Sequence, residues 1–203
     1  MKAAALRYPY PIDEPRPRGS RQLEGFSLKL NRPVRTFDRV SFDFWIGLEA
    51  DPDVVAFCER PVRAEGTNKG AASFWVRRRD SEALVRLEQA GDAASMVAEI
   101  GGLAVITVTL AEVAASGVWI ANWRRMLPTI IVRRADMSRN LQRSIRAFVA
   151  QPVALARIER EFGFGDPGDV RASVFDLIRV GKLTAPSLKT EPLSPLTMMA
   201  PAR

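Results

Sequence analysis

The chain has 203 residues, of which 47% are hydrophobic, and a formal net charge of +7 contributed mostly by arginine. A mass of 22.5 kDa and a mean hydropathy of −0.07 are globular values, with room for one medium domain or two small ones. Without a histidine, Ser–His and Cys–His catalysis and every imidazole metal site are excluded, so only carboxylates are left to hold a metal.

Residues 1–26, with four prolines among scattered arginines, read as an extended arm. They include no apolar central stretch, so no secretory signal is expected. No apolar run approaches the roughly 18–20 residues of a bilayer span. From Arg35, the steps between Phe37, Val40, Ser41, Phe44 and Leu48 predict the inner face of a helix that ends near Asp51-Pro52. Three strands should follow: Val54 to Val62, Ala72 to Val76 after a Gly-Thr-Asn-Lys-Gly turn, and Ala83 to Glu88. In the third, Val85 and Leu87 face one way and Leu84, Arg86 and Glu88 the other. Cys58 is the one cysteine, so no internal disulfide forms and a reducing, cytoplasmic setting is expected. A short helix over Ala93–Ile100, a buried strand at Leu103–Val108 and a helical region from Leu110 complete an α/β domain with a mixed sheet, set at 27–136.

Beyond Met137 the pattern changes. Ser138 caps a helix with Leu141, Ile145, Phe148 and Val149, and a second helix runs about Val153–Phe162. Asp169 opens a third, which Gly181 stops. The stretch from Lys182 to Met199 alternates apolar residues with prolines and threonines. Three helices and a proline-punctuated hairpin outline a winged helix-turn-helix over 137–203, a shape used for both DNA and protein docking.

The segment Leu48-Glu49-Ala50-Asp51-Pro52-Asp53-Val54, followed by Phe57-Cys58-Glu59-Arg60-Pro61, resembles the first helix and strand of TnsA-type transposon endonucleases, with Arg60 in place of a glutamine. Leu103 to Thr107, Asn122 to Leu127 and Phe175 to Leu183 extend the resemblance over about residues 27–198. It implies a restriction-endonuclease-like mixed sheet flanked by helices, followed by a small winged-helix domain. In that family, acids on the first helix and second strand and an acid-x-Lys on the third strand hold magnesium, which activates water at the scissile phosphate.

Carried over position by position, the helix acid becomes Ser41, the second-strand Asp becomes Ser73, and the third-strand pair becomes Arg86 and Glu88, with its charges reversed. The resemblance therefore implies a degenerate site with no catalytic residue, no metal and no cofactor. Arg86 would pair with Glu88 in the former pocket; the plainer reading puts both on a solvated strand face. Asp38, Asp43, Asp80 and Glu82 lie near enough in sequence to leave a relocated, active metal-dependent endonuclease as an alternative. A stand-alone winged-helix DNA-binding regulator is a second alternative.

A pI near 10.3 favours a polyanionic partner, either nucleic acid or an acidic protein. The candidate DNA-binding residues are Lys69 and Arg77, Arg78 and Arg79 around the second strand, and Arg124 and Arg125 in a group with Arg133, Arg134 and Arg139. In the last domain they are Arg171, Arg179, Lys182 and Lys189. Each has a bland reading as solvated charge. Trp45, Trp75, Trp119 and Trp123 are expected in packing, not as base-stacking platforms. The resemblance further implies a non-catalytic subunit of a DNA transposition complex. Its partners would be double-stranded transposon-end DNA, a DDE-type transposase and an AAA+ ATPase regulator, with no membrane involved.

Overall fold

The computed structural model describes residues 6–62, 71–88, 99–163 and 166–202. It divides into two compact units, Met1–Glu49 with Asp53–Ala115, and Ala50–Pro52 with Ser116–Arg203. The 17-residue helix Gly117–Arg133 thus groups with the C-terminal residues, whereas the sequence had suggested a boundary near 136.

The first unit opens with a hairpin that the arm reading did not foresee: β1 (Leu23–Ser27) pairs antiparallel with β2 (Arg32–Thr36). Arg35 and Thr36, expected at the start of a helix, belong to this hairpin. Helix α1 starts later, at Arg39–Ala50, because the Asp38 carboxylate accepts from the Ser41 N–H at 2.7 Å and so satisfies a free amide of the first turn. Trp45, Ile46, Leu48, Glu49 and Ala50 are the buried residues of α1, while Val40, Ser41 and Phe44 are only half-buried. The helix is apolar on more than one side because two layers use it. Gly25 lies so close under Trp45 that a Cβ there would fall 2.3 Å from the indole Cη2, and on another side Phe44 packs on Phe74 at 5.2 Å.

The main sheet has the order β3-β4-β5-β7-β6. Its strands are β3 (Val54–Glu59), β4 (Phe74–Arg78), β5 (Glu82–Glu88), β6 (Glu99–Ile100) and β7 (Leu103–Thr109). The first three form an antiparallel meander, and β7 then lies parallel to β5. This is the expected α/β architecture with a mixed sheet. The helix expected over Ala93–Ile100 is corrected at its end: Glu99 and Ile100 are strand, paired with Leu103 and Ala104. Gly101 (φ +59°) and Gly102 (φ +78°) form the turn, the left-handed pair that tight hairpins require. Residues 93–98 lie outside the described residues. A short helix α2 (Leu110–Ala115) follows β7.

Both faces of the sheet are covered. Phe74 and Val85, cross-strand partners, are buried on the α1 side. Trp75 and Leu84 occupy the other face with Cys58, Ala56, Ala72 and Leu103. There the arm is not a loose tail: Leu6 and Tyr8 pack against this cluster, Tyr8 lies edge-on to Trp75 at 5.7 Å, and the Ile12 N–H donates to the Arg60 carbonyl at 3.0 Å.

The second unit holds α3 (Gly117–Arg133), α4 (Arg139–Phe148), β8 (Val153–Ala154), α5 (Leu155–Phe162), α6 (Pro167–Arg179), β9 (Leu183–Thr184) and β10 (Met198–Pro201). Ser138 caps α4 as expected, accepting from the Leu141 N–H. Asp166, not Asp169, caps α6: it accepts from the Gly168 N–H at 2.7 Å, with Pro167 at the first helical position. Gly181 (φ +68°) follows that helix. The three short strands pair in the order β8-β10-β9, all antiparallel, and a single turn of 3-10 helix, Pro186–Lys189, lies between β9 and β10. Helix α3 packs along α6.

Candidate nucleic-acid interface and degenerate pocket

The four positions carried over from the nuclease resemblance are each occupied locally. Ser41 donates its hydroxyl to Asp38 Oδ2 at 2.7 Å in the first turn of α1. Just ahead of β4, the Ser73 hydroxyl accepts from the Leu87 N–H at 3.0 Å, while its backbone carbonyl accepts from the Arg60 N–H at 2.9 Å. Arg86 Nε and Glu88 Oε1 pair at 3.5 Å with side chains only 17% and 14% exposed, and Arg86 also donates to the Ala71 carbonyl at 3.2 Å. The two charges therefore form a largely buried pair, and the solvated-face reading is set aside.

The sheet does not bring all four positions together. Arg86 and Glu88 alternate with Leu84, the partner of Trp75, so they belong to the face covered by the N-terminal arm. Ser41 sits on α1, which packs on the opposite, Phe74 face. An inner-face position on α1 and the even positions of β5 cannot line one pocket, and the transfer of Ser41 to the same site as Arg86 and Glu88 is corrected on this ground.

Two of the four acids weighed for a relocated site are engaged. Asp38 caps α1, and Asp43 pairs with Arg39 at 3.1 Å. Burial pushes the Asp43 carboxyl above its usual range in spite of Arg39. Among the described residues, no group of three or more His, Cys, Asp or Glu is placed to hold a metal ion.

Three buried polar arrangements were not singled out in the sequence. Glu49, fully buried, accepts from the Ser27 hydroxyl at 2.7 Å and the Lys29 N–H at 3.1 Å, and Lys29 Nζ donates to the carbonyls of Leu48 and Val54 at 2.8 Å. The Leu48-Glu49 motif thus ties the β1–β2 turn to the end of α1. Arg32 meets Glu59 with two bonds of 2.8 Å. Burial works against the Arg32 charge, but Glu59 outweighs it and the guanidinium pKa is raised. Beside this pair the buried Cys58 thiol is pushed up to about 12, first by burial and then by the Glu59 charge.

The basic candidates fall into distinct settings. Lys69 lies outside the described residues. Arg77 and Arg78 belong to β4 itself instead of following it, and the turn from Arg78 to Ser81 closes with a bond of 2.8 Å. Arg77 lies over the Trp75 ring at 5.7 Å and Arg79 pairs with Asp53 at 3.4 Å across an exposed surface. On α3, Arg125 donates to the Leu193 carbonyl at 3.2 Å, and Arg124 is half-buried. Arg133 reaches Asp166 at 2.5 Å and Asp169 at 3.0 Å; the Asp166 hydrogen bond is the main cause of its raised pKa. Arg171 pairs with Glu159 at 2.7 Å and Arg179 with Asp176 at 2.7 Å. Lys182 and Lys189 are exposed beside β9 and in the 3-10 turn. Arg134 and Arg139 are exposed.

Asn122 is the other residue whose role was hidden. From inside α3 its amide donates to the carbonyls of Leu188 and Glu191 at 2.8 Å and accepts from the Leu193 N–H at 2.7 Å. It holds the segment between β9 and β10 against the helix. All four tryptophans are in packing as expected: Trp45, Trp75 and Trp123 are buried and Trp119 lies edge-on to Trp123 at 5.5 Å.

No protein-family model matches the chain, and no curated protein matches it. Among the described residues no helix is long and apolar enough to cross a membrane.

Proposed function

We propose that the protein is a non-catalytic, TnsA-like subunit of a DNA transposition complex that binds transposon-end DNA alongside a DDE-type transposase and an AAA+ ATPase regulator. The observation that supports the non-catalytic part is the Arg86–Glu88 pair: a guanidinium bound to a carboxylate occupies the two positions that the resemblance assigns to the third-strand metal-site groups. Such a pair neutralises itself and offers magnesium neither an anionic cluster nor an open coordination position.

The order of elements supports the fold half of the reading. A helix, a three-strand meander and a fourth strand parallel to the third occur in the sequence expected of a restriction-endonuclease-like sheet. In the second unit, the elements after α3 run helix, strand, two helices, strand, connecting segment and strand, with the last strand central, an order that fits a winged helix. The net charge of +7 supports a polyanionic partner.

The purified chain should leave supercoiled plasmid intact with magnesium or manganese. Metal-dependent nicking abolished by Asp38→Asn or Asp43→Asn would establish a relocated site and end the non-catalytic reading. The neighbouring genes separate a transposition subunit from a stand-alone regulator: adjacent transposase and ATPase genes are expected, and their absence favours the regulator.

A further inference from the structure

We propose that the second unit grips the phosphate backbone of duplex DNA through the outer face of α4, not through α6. This rests on the DNA-binding part of the reading above and names the surface that performs it.

Helix α6 is poorly placed to read DNA. Seven of its residues are buried, α3 packs along it, and Arg171 and Arg179 are tied to Glu159 and Asp176. The segment between β9 and β10 is likewise held to α3 by Asn122 and Arg125. A cation already hydrogen-bonded to a carboxylate releases little when it meets a phosphate, because one ion pair replaces another.

Helix α4 has the opposite character. Its sequence, Arg139 to Phe148, contains no acid. Arg139, Arg143 and Arg146 are spaced four and three residues apart, which aligns them on one side of the helix, and all three are exposed. Leu141, Ile145 and Phe148 occupy the opposite side, with Ile145 completely buried. Arg157 of α5 lies over the Phe148 ring, 5.8 Å from its centre, on the apolar side of α4, and is not part of this stripe. None of the three stripe arginines has a carboxylate partner among the described residues; Arg143 donates instead to the Asn140 side-chain oxygen. At 1.5 Å rise per residue the stripe is about 10 Å long, roughly the axial length of three phosphates on one strand.

An acidic protein would offer the same charge, but the chemistry of the face favours DNA. Between the arginines lie Asn140, Ser144 and Ala147, and no large apolar side chain on α4 or α5 is exposed. Protein interfaces are organised around a desolvated apolar or aromatic centre, whereas DNA interfaces are polar and strongly basic.

The test is fluorescence anisotropy of the full chain with a short labelled duplex of arbitrary sequence, titrated between about 50 and 200 mM salt. R139Q/R143Q/R146Q should weaken binding by at least about tenfold and flatten the log–log salt dependence by about 2.7, near 0.9 for each lost phosphate contact. R171Q/R179Q should flatten it by less than about one. The charge-preserving R139K/R143K/R146K should restore most of the binding, which separates a phosphate contact from a folding defect. An unchanged salt slope in the glutamine variant, with DNA still bound, overturns this assignment and leaves the DNA-binding reading standing. Failure of the unmodified chain to bind duplex at all overturns both. Binding of polyglutamate as tight as that of the duplex, lost in the same glutamine variant, would give the face to an acidic protein and overturn the proposal.

Discussion

At the scale of single residues, Arg86 and Glu88 offer the sharpest stability test. They sit two apart on β5 with their charges largely out of solvent. Removing the carboxylate leaves a largely desolvated guanidinium that still donates to the Ala71 carbonyl. Deeply buried pairs lose 3–5 kcal/mol on such truncation; with 17% and 14% exposure, about 1–3 kcal/mol is expected for Glu88→Ala. In a chain of this size that lowers Tm by several degrees, measured by circular dichroism. A shift under about one degree would return the pair to the class of exposed ion pairs.

Cys58 makes the second residue-scale prediction. With its thiol pushed up to about 12 by burial and the neighbouring Glu59, almost no thiolate exists at pH 8. The native protein should resist iodoacetamide at that pH and react only when unfolded; rapid native labelling would show the β3 core open to solvent. Because the folded thiol holds its proton more tightly than the unfolded one, the associated stability is intact below the ordinary thiol range. It is lost as pH rises from there toward 12, so alkaline melts should fall in that window.

At the scale of elements, Asn122 ties the long helix of the second unit to the segment between its last two strands. Replacing it with alanine removes three hydrogen bonds of 2.7–2.8 Å and strands polar backbone in a site that is 2% exposed. The expected destabilisation is about 2–4 kcal/mol. Hydrogen exchange should report it as lost protection across residues 186–193; unchanged protection there would mean that the segment is held by its own turns. This tie explains part of what the sequence concealed. An asparagine between apolar residues on a helix gives no local sign of a partner some seventy residues away. Periodicity shows which face is apolar and says nothing of a lone polar group inside that face.

Other elements were legible to different degrees, for reasons visible in their residues. The β5 alternation read correctly because Leu84, Arg86 and Glu88 form a strict period of two, and Ser138 was a clear cap. The β1–β2 hairpin was missed because Pro33 and a proline-rich prelude mask it, and because its anchors, Glu49 and Lys29, act through the fold. The end of the helix expected at Ala93–Ile100 was misread because Gly101-Gly102, which turns Glu99 and Ile100 back as strand, was overlooked. The pocket transfer erred on Ser41 because linear spacing along a helix cannot tell which face of a sheet the helix covers. The stripe on α4 was readable in principle: three arginines at helical spacing with no acid between them are there in the sequence.

At the scale of the whole molecule, the excess positive charge is unevenly available, and a last prediction separates its parts. Arg77, Arg78 and Arg79 are close in sequence but differ in setting. Arg77 lies across Trp75, and Arg79 shares an exposed pair with Asp53. The Arg79–Asp53 pair is longer and more exposed than the pairs that hold Arg171 and Arg179, so it gives way to a phosphate more readily, whereas moving Arg77 forfeits a ring contact and its packing. Changing all three to alanine should therefore flatten the salt dependence of DNA binding by about one to two, less than the full value for three free cations. Discrimination between duplex sequences should stay the same, because phosphate contacts position a duplex without reading it. Since Arg77→Ala also uncovers Trp75, the double variant Arg78→Gln and Arg79→Gln serves as the control with intact packing. It should keep the native Tm while accounting for most of the flattening. If neither variant alters the salt slope, this turn is solvated charge and takes no part in holding DNA.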